Sequence, residues 1–442
     1  MNDFFSDNVL LKGEASKEIY ESIRTLPIID YHCHLDQKAI RDDKRFNDIG
    51  ELWLGGDHYK WRALRMMNVD ERFITGNASY HDKFLKYASI MPALCGNPLY
   101  YWTHFELKQV FGISLPLNEN TAETIYKKAN EELSKLSTRK LLKKFNVSFV
   151  ATTNDPIESL SDHGVFDGVK VTPTFRPDKL YDFSPSYLEE LGKTVGYSLS
   201  TLELLQKAIT ERLDYFVSKG CKIADHGFTN FPKGYASEIE AKQLYFKRDS
   251  LTPTEKDRLF GYLLVFLMKE YKKRNLLAQI HFSVIRNANR LMYERLGVDQ
   301  GFDVIGEENS LYDLILFLNR FLEEERPTIV LYTLNPESLK AIASISGAFR
   351  NVLVGAAWWF NDTLLGIRNN LEIISEYALL GTNLGMLTDS RSFSSYSRFD
   401  FFRRILATFL GEKVDGGEYP LSDAKLLAKK ISYTNIKERF SL

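Results

Sequence analysis

PIIDYHCHL, residues 27–35, ends a short apolar run on two histidines one residue apart. Side chains alternate along a strand, so His32 and His34 share one face and Cys33 takes the other. Two imidazoles on one face of a strand end can grip a single ion, or they can be two polar residues closing a buried strand. Asp30 has the same parity and is placed to support a ligand from behind. Cys33 reads as a small packing residue. The residues at the ends of the other apolar runs decide between these readings.

Seven further β-rich runs follow: VSFVATT (147–153), GVKVTPTF (168–175), CKIAD (221–225), LLAQIHF (276–282), TIVLYTL (328–334), VLVGAAWWF (352–360) and NLGMLTD (383–389). Continuous apolar runs of this length suit strands buried on both faces of a parallel sheet. Helical patterns separate most of them. SLSTLELLQKAITERLDYFVSKG (198–220) keeps helical spacing and stops at Gly220, a natural C-terminal cap. EKDRLFGYLLVFLMKEYKKRN (255–275) and SLYDLILFLNRFLEEE (310–325) lead into the next two runs. Eight strands alternating with helices predict a (β/α)8 TIM-type barrel. An open doubly wound sheet would put a glycine-rich phosphate loop after an early strand, and HCHLDQK stands there instead.

One connection breaks the rhythm. Residues 36–146 separate the first two runs, far beyond an ordinary βα loop. The segment is rich in aromatic and helix-forming residues, as in WRALRMM, YHDKFLKYASIMPAL and TAETIYKKANEELSKL. It predicts a large helical insertion, placed on the catalytic face because it leaves the C-terminal end of a barrel strand. No Pro/Gly/Ser linker divides residues 1–442, so a single domain is expected.

Composition bounds the partners. The chain is 44% hydrophobic and 26% charged with a net charge of -1, which offers no global field to nucleic acid or an acidic membrane. YLLVFLM (262–268) is far short of the roughly 20 apolar residues that span a bilayer. The N-terminal stretch MNDFFSDNVLLKGEASKEIY is too interrupted by charge for a signal peptide. Cys33, Cys95 and Cys221 fit neither a disulfide framework nor a zinc-knuckle spacing. A cytoplasmic protein acting on a small molecule is expected.

In a barrel, active sites sit at the C-terminal ends of the strands. Those ends carry TTNDP (152–156), Arg176 in FRPD, Asp225 and His226 in ADHG, and His281 and Arg286 in QIHFSVIRNANR. Trp358 and Trp359 follow the seventh run, and Asp389 and Arg391 lie in TDSRSF. Each alone has an ordinary explanation: a surface arginine, a helix-capping aspartate, a core tryptophan. Their gathering at strand ends is what points to a site. Two neutral histidines holding a divalent ion need a carboxylate, with positions left open for substrate. Asp389 ends the last strand, beside the first in a closed barrel, so His32, His34 and Asp389 are the expected metal ligands.

Taken with GGDHYKWRALR (55–65), WWFND (358–362) and GMLTDSRSFSSYSRFDFFRRIL (385–406), these motifs resemble uronate isomerase, the glucuronate or galacturonate isomerase of the amidohydrolase superfamily. The resemblance covers essentially the whole chain. It implies interconversion of D-glucuronate with D-fructuronate, or D-galacturonate with D-tagaturonate, in hexuronate catabolism. It implies one divalent ion, often zinc, on His32, His34 and Asp389, and a homo-oligomer. Substrate and catalytic positions fall on His58, Tyr59, Arg176, Asp225, His281, Arg286, Trp358 and Arg391. The chain departs from the family at Asn154, where a second aspartate is expected, and in HFSVIRNAN and GAAWWF.

The chemistry asks for a carboxylate binder and a base. Arg176, Arg286 and Arg391 offer guanidinium recognition of a uronate. Asp389 is the expected base for proton transfer between C2 and C1 through an enediol, with Arg391 beside the oxygens. Tyr59 or a metal-bound water is the alternative proton acceptor. His58 and Tyr59 lie in the insertion and must fold over the barrel mouth as a lid. Asp225 and His281 are placed to orient or open the sugar ring. The rival reading is a mononuclear metal-dependent hydrolase of the same superfamily. A two-metal hydrolase would want a histidine where the sixth run ends in YTLNP. A barrel that only binds acidic sugars would lack the metal and base residues that stand here.

Overall fold

The apolar runs curl into one parallel sheet in the computed structural model, which describes residues 4–307 and 310–442. Met1–Asp3, the start of the N-terminal stretch read above, lie outside the described residues. Helix α1 (Gly13–Ile23) precedes β1 (Ile28–Cys33). The next strands are β2 (Val147–Asn154), β3 (Val169–Phe175), β4 (Ile223–Gly227), β5 (Leu277–Phe282), β6 (Ile329–Thr333) and β7 (Val352–Val354). They pair in chain order and all in parallel. Every residue of β1, β5 and β6 is buried, which is why those runs are continuously apolar rather than alternating.

Two layers of core hold the curl. Ile29, Tyr31, Phe149, Ala151, Ile223, Leu277, Val330 and Tyr332 form the inner cluster, drawn from alternate strand positions. Ile436 and Phe440 from the last helix (Asn435–Phe440) join them, with Phe440 lying 5.5 Å from Phe149. The intervening residues, such as Ile28, Val150 and Ile280, face the outer core beneath the helices. Crossover helices Leu202–Ser218 and Pro253–Lys273 occupy the predicted places. The latter opens on a capping box between Thr252 and Glu255. The helix expected over 310–325 is shorter, Leu311–Leu318.

The eighth run, 383–389, closes on β1 without forming a ladder strand. The Asp389 N–H donates to the His32 carbonyl at 3.1 Å and the His34 N–H to the Ser390 carbonyl at 3.0 Å. Between them, the Thr388 N–H and hydroxyl both donate to the buried Asp30 carboxylate, at 3.0 and 2.6 Å. The Thr388 carbonyl goes to Arg398 Nη1. With both backbone groups of Thr388 taken by side chains, and with Asp389 in the left-handed region at φ 47°, regular pairing is lost. Asp30 thus serves the closure of the sheet through Thr388.

Between β1 and β2 run the helices α2 (Gln37–Arg41), α3 (Ile49–Leu54), α4 (His58–Met66), α5 (Tyr80–Ile90), α6 (Pro98–Phe111), α7 (Ala122–Leu133) and α8 (Thr138–Lys144). This is the large helical insertion. Asp57 caps α4 by accepting from the Tyr59 and Lys60 N–H groups, and its carboxylate pairs with the buried Lys60 ammonium at 2.7 Å. That cap fixes His58 and Tyr59 in the first turn.

Candidate active site and metal centre

A cavity of about 660 Å³ opens at the C-terminal ends of the strands. His34, His58, Arg176, His281, Arg286, Trp358, Asp389 and Arg391 line it. His32 and Asp225 lie just beneath, fully buried. Tyr59 sits at the edge, lining the smaller hollow next door, and reaches the floor through its hydroxyl, 3.5 Å from Asp389 Oδ2.

His32, His34 and Asp389 converge. Asp389 Oδ1 lies 3.3 Å from His32 Nε2 and 3.3 Å from His34 Nε2, and one donor atom from each of the three falls within 4.8 Å of the others. His32 is fully buried: Nε2 faces the Asp389 carboxylate, and Nδ1 has no hydrogen-bond partner, an arrangement that proteins avoid unless something else satisfies the group. Burial pushes His34 down to about 4, so its imidazole is neutral. Burial raises the Asp389 carboxyl, but hydrogen bonds from His32 and His34 outweigh it and hold the acid well below its ordinary range. Two imidazoles beside an ionised carboxylate are the donor set a divalent ion requires. The residues fit a metal site.

Asp225 anchors the opposite wall. Its carboxylate meets Arg176 Nη1 at 3.1 Å and His281 Nδ1 at 3.3 Å, and it lies 4.0 Å from His32 Nδ1. Burial opposes its ionisation, and His281 and Arg176 prevail, keeping it ionised. Burial lowers His281. Asp178 holds the other side of Arg176, at 2.9 Å from Nε. Gly227 explains the glycine of ADHG: a Cβ there would stand 2.3 Å from His281 Nε2 and 2.8 Å from Arg176 Nη2. The neighbouring His226 turns away, its Nδ1 2.7 Å from the Tyr181 hydroxyl.

Trp358 forms an aromatic wall, with ring centroids 4.5 Å from His32 and 4.7 Å from His281. Its indole N–H is buried without a partner. Arg286 lies 4.6 Å over the Trp359 ring and pairs with Asp303 at 3.0 Å. Arg391 pairs with Asp299, also at 3.0 Å. His58 stacks on Tyr59 at 4.6 Å, and burial followed by the Arg391 charge lowers its basicity. Burial and the Asp389 charge hold the Tyr59 phenol well above its usual range, so it remains protonated.

A family model described as glucuronate isomerase matches residues 1–440. The chain belongs to the glucuronate isomerase family. A uronate isomerase from Caldanaerobacter subterraneus subsp. tengcongensis is 40% identical over 464 aligned residues, spanning 99% of each chain. The crystal structure of the Thermotoga maritima uronate isomerase superposes with a TM-score of 0.96 at 34% identity, covering 99% of this chain and 100% of that one. Glucuronate isomerase from Caulobacter crescentus gives 0.93 at 25% identity, over 99% and 97%. The fold is therefore the α/β barrel of these isomerases, and the chain is an aldose–ketose isomerase of hexuronates.

Three carboxylates of the site were not among the residues expected from the sequence. Asp178, Asp299 and Asp303 each pair with a cavity arginine. Asp178 was within reach, inside the FRPD motif. Asp299 and Asp303 lie on a loop with no apolar run to locate them.

Proposed function

We propose that the cavity isomerises D-glucuronate and D-galacturonate to their 2-ketouronates, with Asp389 moving the proton and the arginines holding the anion. The observation that carries this reading is the position of one carboxylate. Asp389 faces His32 and His34 with one oxygen and the Tyr59 hydroxyl with the other, inside a cavity lined by Arg176, Arg286 and Arg391.

His32, His34 and Asp389 would hold one divalent ion, and two imidazoles with one carboxylate and open positions suit zinc. Bound there, the ion supplies positive charge against negative charge developing on substrate oxygen. The chain's own groups account for the proton path. Asp389, ionised, takes the C2 proton of the open-chain aldehyde, leaving an enediolate with its charge on O1. The same carboxyl returns a proton to C1, while a proton from O2 passes to O1, giving the 2-ketouronate with no net gain or loss. The protonated Tyr59 hydroxyl and the Arg391 guanidinium stabilise charge on the enediol oxygens. Asp225 orients His281 towards the ring oxygens, and the unpartnered Trp358 N–H offers a hydrogen bond to a sugar hydroxyl.

The helices between β1 and β2 serve as a lid over the barrel in a single catalytic unit. His58 and Tyr59 are its catalytic edge, and the lid excludes water from the enediol. Among the described residues no helix is long and apolar enough to cross a membrane. The free thiols of Cys33, Cys95 and Cys221 suit a reducing, cytoplasmic setting. Incubation of the zinc-supplemented protein with each uronate, followed by chromatography of the ketouronate, tests the proposal. Turnover of both acids supports it, and hydrolysis of an ester or amide with no isomerisation removes it in favour of the hydrolase reading.

A further inference from the structure

The loop that follows helix Arg290–Leu296 carries a carboxylate to two of the three cavity arginines, but it holds the two differently. Asp303 is fixed: Oδ2 accepts from Arg286 Nη1 at 3.0 Å and Oδ1 from the Asn287 N–H at 2.7 Å, and the side chain is largely buried. Asp299 meets Arg391 Nη2 at 3.0 Å with a side chain that is 53% exposed and faces the cavity.

The backbone around Asp299 is pinned to the lid. Arg65 of α4 donates to the Gln300 carbonyl. Arg62 donates to the Gly301 carbonyl at 3.3 Å and the Asp303 carbonyl at 2.7 Å. The Arg65 guanidinium also lies 4.4 Å over the Phe302 ring. At Gly301, with φ 85°, a Cβ would stand 2.9 Å from the His58 carbonyl, so loop and lid meet at van der Waals range. The Asp299 carboxylate can therefore leave Arg391 by side-chain rotation into solvent, with the loop staying in place.

We propose that Asp299 sets the affinity for the anionic substrate by occupying Arg391 in the empty cavity, and that the uronate carboxylate displaces it on binding. This deepens the proposed function and rests on Arg391 contacting substrate. The cost of displacement is bounded by chemistry. A half-exposed ion pair contributes little, so the competition is worth about two- to fivefold in affinity. A small anion lacking the sugar's hydroxyls has little else with which to displace Asp299, which favours a uronate over inorganic anions.

A double-mutant cycle on the full-length, metal-loaded protein tests the assignment, reading kcat and KM for D-glucuronate, and its Kd by calorimetry where turnover is lost. Asp299→Asn is expected to lower KM about two- to fivefold, with kcat within about twofold and an unchanged melting temperature. Arg391→Met is expected to lower kcat/KM at least about tenfold. In the Arg391→Met background, Asp299→Asn should leave KM or Kd unaltered. An unchanged or raised KM in Asp299→Asn, or the same gain with Arg391 removed, overturns the role of Asp299 while Arg391 keeps its own. Wild-type kcat/KM in Arg391→Met overturns instead the reading of Arg391 on which the proposal rests.

Discussion

The Tyr59 hydroxyl stands 3.5 Å from Asp389 Oδ2, joining the first turn of a lid helix to the residue that closes the sheet. In the proposed mechanism this contact brings the insertion into the chemistry. Replacing Tyr59 with phenylalanine removes the hydroxyl and keeps the stacking on His58. The expected result is a kcat lower by about 10²-fold with KM little changed, because the phenol acts on charge that develops after binding. Steady-state kinetics on the two proteins check it.

His32 tests the metal site. Its ring is buried against Trp358, with Nε2 facing Asp389 and Nδ1 unpartnered. His32→Ala is expected to reduce bound divalent metal to a small fraction of one equivalent by elemental analysis, and to remove the metal-dependent rise in melting temperature. Metal content equal to wild type would show that the ion, if bound, lies elsewhere.

Gly227 tests how tightly the proposed anion-binding wall of Arg176 and His281 is built. A methyl group there would overlap His281 Nε2 and press on Arg176 Nη2. Gly227→Ala should raise KM for D-glucuronate by about tenfold or more, since a displacement of about 1 Å is costly in a positioned site. Circular dichroism should show an intact fold, because the clash falls on two side chains at the cavity edge.

A buried acid outside the metal cluster gives a pH dependence of stability. Burial raises the Asp362 carboxyl to about 7, with Arg398 opposing and Asp389 adding to the rise. The folded protein therefore keeps this proton over a range where the unfolded chain, near 3.8, has released it. Its contribution is fully present below the unfolded value and is lost as pH rises to about 7, above which it is flat. Denaturation midpoints at pH 5 and pH 8 should differ more in wild type than in Asp362→Asn. Equal differences in the two proteins would show that Asp362 does not titrate in this range.

The strand-end residues were legible because each ends an apolar run with its own signal. Parity placed His32 and His34 on one face, and closure placed Asp389 beside them. Continuous burial made β5 and β6 plain as runs, and the bare length between the first two runs exposed the helical insertion. Other features had no such signal. Asp30 shares parity with His32, yet its carboxylate is taken by Thr388, which only the closed sheet brings near. The eighth run reads as a strand by composition, but the side-chain bonds at Thr388 and the left-handed Asp389 interrupt its ladder. Asp299 and Asp303 act through a loop whose place is set by Arg62 and Arg65 across the cavity. Those contacts are long-range and carry no local pattern.

In the proposed mechanism one carboxylate, held between two histidines and a phenol, transfers the proton between C2 and C1. The most direct measurement is isomerisation in D2O by zinc-loaded wild type and Asp389→Asn, following hexuronate interconversion and deuterium at C1 by NMR. The account predicts conversion of D-glucuronate to D-fructuronate by wild type, with solvent deuterium entering C1 in part as the enediol exchanges. It predicts a rate lower by about 10²- to 10⁴-fold in the variant. Full activity in zinc-loaded Asp389→Asn, or no conversion of D-glucuronate by the zinc-loaded wild type, would contradict it.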